Sequence, residues 1–104
     1  MRNRIESWFK MANGAGLVLP DGWFGRPHDN IHCLTYLLQR PHKLIIELDN
    51  QLFLIFTDIQ TLNTKDDELE FSNFSQLIFD WQEYGSFTSH ATIYTSGSVK
   101  LVKP

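Results

Sequence analysis

The chain has 104 residues, enough for one domain spanning residues 1–104 and too few for two. Hydrophobic types make up 42% and charged types 20%, which excludes a disordered chain. The formal charge is -3 and no run of Lys or Arg exists, so there is no electrostatic footprint for nucleic acid or an anionic membrane.

Residues 3–13 read as a short amphipathic helix, because Ile5, Trp8, Phe9 and Ala12 fall at helical spacing. Gly14 follows as the expected residue just past its end, where a positive φ costs glycine nothing. Glu6 and Lys10 interrupt the apolar positions, so this segment is not a signal peptide. Residues 16–19 suit a short strand, and Pro20-Asp21-Gly22 suits a tight turn.

The clearest pattern is a meander of three β-rich runs, at residues 31–38, 43–49 and 51–57. Asp49-Asn50 separates the last two, and both residue types tolerate the positive φ of a tight hairpin. The middle run puts Leu44, Ile46 and Leu48 on one face and Ile45 on the other. Residues 52–56 are apolar at every position, which predicts a strand covered on both faces, by a helix, a second sheet or a partner chain. The same run is the longest apolar one and is far too short to cross a bilayer.

Residues 58–68 carry polar, turn-forming and acidic types and are expected to form an exposed loop. Residues 69–71 suit a short strand. Residues 73–84 fit either a helix capped by Asn73 or a strand with Leu77, Phe79 and Trp81 pointing inward; the aromatic content favours the strand. Residues 90–95 and 98–102 flank Ser96-Gly97 and read as a closing hairpin. The fold class that follows is mainly β: an antiparallel meander forming a rolled sheet, partial barrel or small sandwich with one N-terminal helix. The alternative is α+β, with residues 73–84 helical.

The densest group of unusual residues is the loop from residue 20 to residue 32. It holds two of the four Pro, adjacent Trp23 and Phe24, Arg26, His28, Asp29 and His32. Loops fixed by Pro and Gly on a rigid sheet commonly carry binding groups. Arg26 suits a carboxylate or phosphate, and Trp23 and Phe24 suit a partner surface or a plug for the end of the sheet. His28 and His32 are four apart with Asp29 beside them, but extended chain at that spacing separates them by roughly 13 Å, so no metal site is expected. Cys33, the only cysteine, excludes an internal disulfide and is expected to be a buried, reduced, inert thiol on a strand. No catalytic motif and no cofactor motif is present.

Residues 22–30, GWFGRPHDN, followed by His32, and residues 79–85, FDWQEYG, resemble a pattern of small uncharacterised bacterial proteins. The resemblance implies a compact bacterial domain and carries no activity, cofactor or site residues. The expected function is a non-enzymatic binding or protein-interaction module, cytoplasmic, with a protein partner or a second copy of the chain. The alternative is a small-ligand-binding protein or hydrolase-like enzyme with its site at residues 20–32, where Arg26 anchors an anion and His28 or His32 acts as acid or base.

Overall fold

A computed structural model describes residues 1–25, 31–82 and 89–104. Among these residues a helix, α1 (Arg2–Met11), precedes ten strands. In order these are β1 (Gly16–Leu19), β2 (Gly22–Trp23), β3 (Leu34–Arg40), β4 (Lys43–Leu48) and β5 (Leu52–Thr57), then β6 (Thr61–Thr64), β7 (Glu68–Ser72), β8 (Gln76–Gln82), β9 (Ser89–Tyr94) and β10 (Val99–Val102).

The strands form two five-stranded antiparallel sheets, in the orders β2-β1-β10-β7-β6 and β3-β4-β5-β8-β9. Period-two alternation makes one face of each sheet apolar. Leu44, Ile46 and Leu48, then Leu52, Leu54 and Phe56, then Leu77 and Phe79, are buried on the second sheet. Leu17, Leu69, Phe71, Val99 and Leu101 are buried on the first. The two faces meet in one core, where the Phe56 ring stacks on Phe71 at 5.1 Å between centroids. Full burial of each such side chain contributes roughly 1.5–3 kcal/mol. The architecture is therefore the sandwich among the expected arrangements, and neither sheet closes into a barrel.

Helix α1 closes one flank of the sandwich. Ile5 and Trp8 enter the shared core. The Trp8 indole Nε1–H donates to the Lys65 carbonyl at 3.1 Å, the Arg4 guanidinium donates to the Leu62 carbonyl, and the Arg2 amide donates to Gln39 Oε1 at 3.0 Å. The helix thereby bridges from the β6 side of one sheet to the β3 edge of the other. Among the described residues, no helix is long and apolar enough to cross a membrane.

The structure differs from the sequence reading at five places. The helix stops at Met11, with Ala12 extended, so Gly14 is not its terminal glycine. Gly14 does take a positive φ of 87°, for a different reason: a Cβ there would lie 2.3 Å from Ile31 Cγ2. Residues 31–33 precede β3 rather than belonging to it, and His32 makes only an isolated bridge to Ala15. Residues 61–64 of the expected loop are strand β6, held by pairing to β7 and by burial of Leu62. Residues 90–95 and 98–102 are not a hairpin: β9 pairs with β8, while β10 crosses to the other sheet and sits between β1 and β7. Gly97, at φ 102°, serves that crossing rather than a reversal. Cys33 is exposed rather than buried.

Two readings hold, the meander and the strand within residues 73–84, of which 83 and 84 lie outside the described residues. The β3-β4-β5 meander forms with Asp49 and Asn50 at φ 57° and 55°. Residues 76–82 are strand, because Leu77 and Phe79 both reach the core and Asn73, at φ 56°, turns the chain instead of capping a helix.

Candidate functional site

The loop that stands out in the sequence closes the flank of the sandwich opposite α1. Its first half is a hairpin: Val18 pairs with Trp23 and Leu19 with Gly22, the latter at φ 130°. The Phe24 amide then donates to the Leu17 carbonyl at 2.9 Å, which aims the Phe24 ring inward. That ring meets Phe79 edge-on at 5.0 Å and Trp81 at 5.5 Å, and lies 5.9 Å from the His32 ring. Phe24 is thus a plug between the two sheets. Trp23, its neighbour, points out; 43% of it is exposed, with its ring edge over Gly16. Arg26, His28 and Asp29 lie outside the described residues.

His32 is the one polar residue buried among the described residues. Its backbone exchanges two hydrogen bonds with Ala15, at 2.8 and 2.9 Å. Its Nδ1 lies 2.6 Å from Asp49 Oδ2. The other carboxylate oxygen of Asp49 accepts the Cys33 amide at 2.8 Å, and the Asp49 amide donates to the Cys33 carbonyl. A carboxylate accepts only, so Nδ1 carries the hydrogen of this contact. The Nε2 of the same ring is buried and has no hydrogen-bond partner among the described residues. Among the described residues no group of three or more His, Cys, Asp and Glu is placed to hold a metal.

The structure brings together Phe24 and His32, both singled out in the sequence, and adds Asp49, which the sequence marks only as a turn former. Its positive φ and its proximity to His32 arise from the same hairpin, and nothing in the local sequence announces the second role. The sequence reading also missed the stack of Trp81 on His90, at 4.5 Å between rings. Cys33, expected inside a strand, lines an open groove of about 550 Å³ with Glu6, Phe9 and Lys10.

The second candidate is the outer face of the β3-β4-β5-β8-β9 sheet. Register places Leu38 opposite Ile45, Ile45 opposite Ile55, Ile55 opposite Ile78, and Ile78 opposite Ile93. One branched aliphatic ladder therefore crosses all five strands on the side away from the core. Ile93 is 59% exposed, and the other four are half-buried by one another. To one side runs a row of Tyr36, Glu47, Phe53, Asp80 and Ala91; to the other, Arg40, Lys43, Thr57 and Gln76. The ladder thus has acids along one edge and bases along the other. The helix and the first sheet both pack elsewhere, and no described element lies over this face.

Comparison with known proteins adds no relative: no family model, no curated protein and no solved structure matches the chain.

Proposed function

We propose that this chain is a protein-interaction module that works through the outer face of its larger sheet. The observation that carries this reading is the uninterrupted ladder of Leu38, Ile45, Ile55, Ile78 and Ile93. Isolated exposed apolar residues are ordinary on a protein surface, whereas a contiguous patch marks a contact site. The occupant is a flat protein surface with its own apolar line. A net charge of -3 and the interspersed acids make nucleic acid and anionic lipid poor partners. The exposed, unpaired Cys33 fits a reducing compartment such as the cytoplasm.

Photo-generated carbene labelling of the dilute protein tests this reading. Open contact surface predicts strong labelling of Ile55 and Ile78 together with Ile93. If Ile55 and Ile78 stay unlabelled, the chain covers its own face and the reading falls.

A further inference from the structure

The outer face has a property that selects its occupant: it is complementary to itself. We propose that the partner is a second copy of this chain, packed face to face about a two-fold axis running along the aliphatic ladder. This inference rests on the reading of the outer face as a contact surface.

The argument is geometric. A closed homodimer places the same patch on both sides of the interface, so the patch must match its own rotated image. An axis along the ladder, perpendicular to the strands, leaves each strand opposite its own copy but reverses its direction. Ile55 then meets the partner's Ile55, and Ile45 meets the partner's Ile45. The acidic row is carried over the basic row. Glu47 and Lys43 both lie on β4, two pleats apart on the same face, so Glu47 faces the partner's Lys43 and Lys43 faces the partner's Glu47. On β8, Asp80 comes to face the partner's Gln76, a hydrogen-bond donor. Tyr36 comes to lie over the partner's Arg40 on β3.

The competing axis runs parallel to the strands. It keeps the acidic row over the acidic row and, because it exchanges β4 with β8, sets Glu47 against the partner's Asp80. Like charges brought together at an interface are strongly disfavoured. Charge pattern therefore chooses the first axis, and the ladder supplies the apolar centre for either.

The size of the face sets the strength. Five strands at about 4.8 Å spacing and six residues at about 3.3 Å rise give roughly 24 by 20 Å, or about 500 Å² in projection per copy. Two copies cover about 1,000 Å² before side-chain relief is counted, near the lower bound of stable interfaces. The dimer is accordingly expected to dissociate in the micromolar range rather than to be permanent.

Light scattering across a concentration series from about 1 to about 500 µM tests the proposal. A monomer–dimer transition in that range is expected. Ile55→Lys should abolish it, and Ile93→Lys, at an already exposed edge position with little folding risk, should weaken it. Circular dichroism and thermal unfolding confirm that each variant is folded. Lys43→Glu and Glu47→Lys should each weaken association by about tenfold, and the double charge swap should restore it. A dimer indifferent to Ile55→Lys and Ile93→Lys, or single swaps that the double does not rescue, would overturn the proposal. A chain that stays monomeric throughout overturns the second copy as partner. Strong carbene labelling of the ladder in that same sample leaves the interaction reading standing, and absent labelling removes both.

Discussion

Two glycines a residue apart show how local geometry decides what a single atom costs. Gly14 combines φ 87° with a neighbour, Ile31 Cγ2, only 2.3 Å from where a Cβ would sit. Gly14→Ala should therefore destabilise the protein by about 1–3 kcal/mol, read from the urea midpoint. At Gly16 the nearest atom is Cζ3 of Trp23, at 2.9 Å, the far end of a side chain that faces solvent. Gly16→Ala should push that ring aside and cost less than Gly14→Ala in the same titration. Tyr94 supplies a pH dependence. Its hydroxyl donates to Asp21 Oδ1 at 3.1 Å, and partial burial, then the Asp21 carboxylate, raise its pKa above the ordinary 10.0. The folded state thus holds this proton more tightly than the unfolded state. The resulting stability is fully present below pH 10.0 and is lost as pH rises through the folded value. Thermal unfolding should show a steeper loss above pH 10.0 for the native chain than for Tyr94→Phe. At this scale the sequence revealed which residues were unusual but not which way they point. Trp23 and Phe24 look alike in sequence. Their fates differ because one side of the β2 hairpin faces the core and the other does not.

Elements were legible where periodicity had a buried face to report. Strands β4, β5, β7 and β8 alternate cleanly, and their inward positions are those expected from period two. Strand β6 was missed because it is an edge strand of four residues with one buried side chain, Leu62, and so little apolar signal to detect. The crossing from β9 to β10 was missed because Ser-Gly serves a reversal and a crossing equally well; only the partner strands distinguish them. Helix α1 has ten residues, too few to persist alone, and depends on docking. Trp8 provides part of that docking through its bond to the Lys65 carbonyl. Trp8→Phe keeps most of the apolar contact and loses the donor. It should cost about 0.5–1.5 kcal/mol in chemical denaturation, with further loss where the larger ring leaves a gap.

For the whole molecule, composition and pattern were enough for a mainly β fold with one helix. They could not say that the strands divide five and five between two sheets, because that division is made by long-range pairings. The same pairings create the candidate contact surface. Leu38, Ile45, Ile55, Ile78 and Ile93 are spread over more than half the chain and become a ladder only when the register is known. The sequence predicts cover on both faces of β5, and among the described residues the chain supplies it on the inner side only. The double charge swap at Lys43 and Glu47 is the whole-molecule prediction that tests where the remaining cover comes from.

The position of β10 has a consequence for how the chain folds. It is the middle strand of its sheet, joining Gly16 through Val102 at one side to β7 at the other. The other sheet is complete once Tyr94 has been added. Any folding intermediate in which β10 has not yet docked therefore keeps the roof over the other sheet in two pieces, β1-β2 and β6-β7. Leu44, Phe56 and Leu77 then line half a core open to water, the kind of surface that chaperones bind and that drives nascent chains to aggregate. The four residues of β10 turn that exposed surface into an interior.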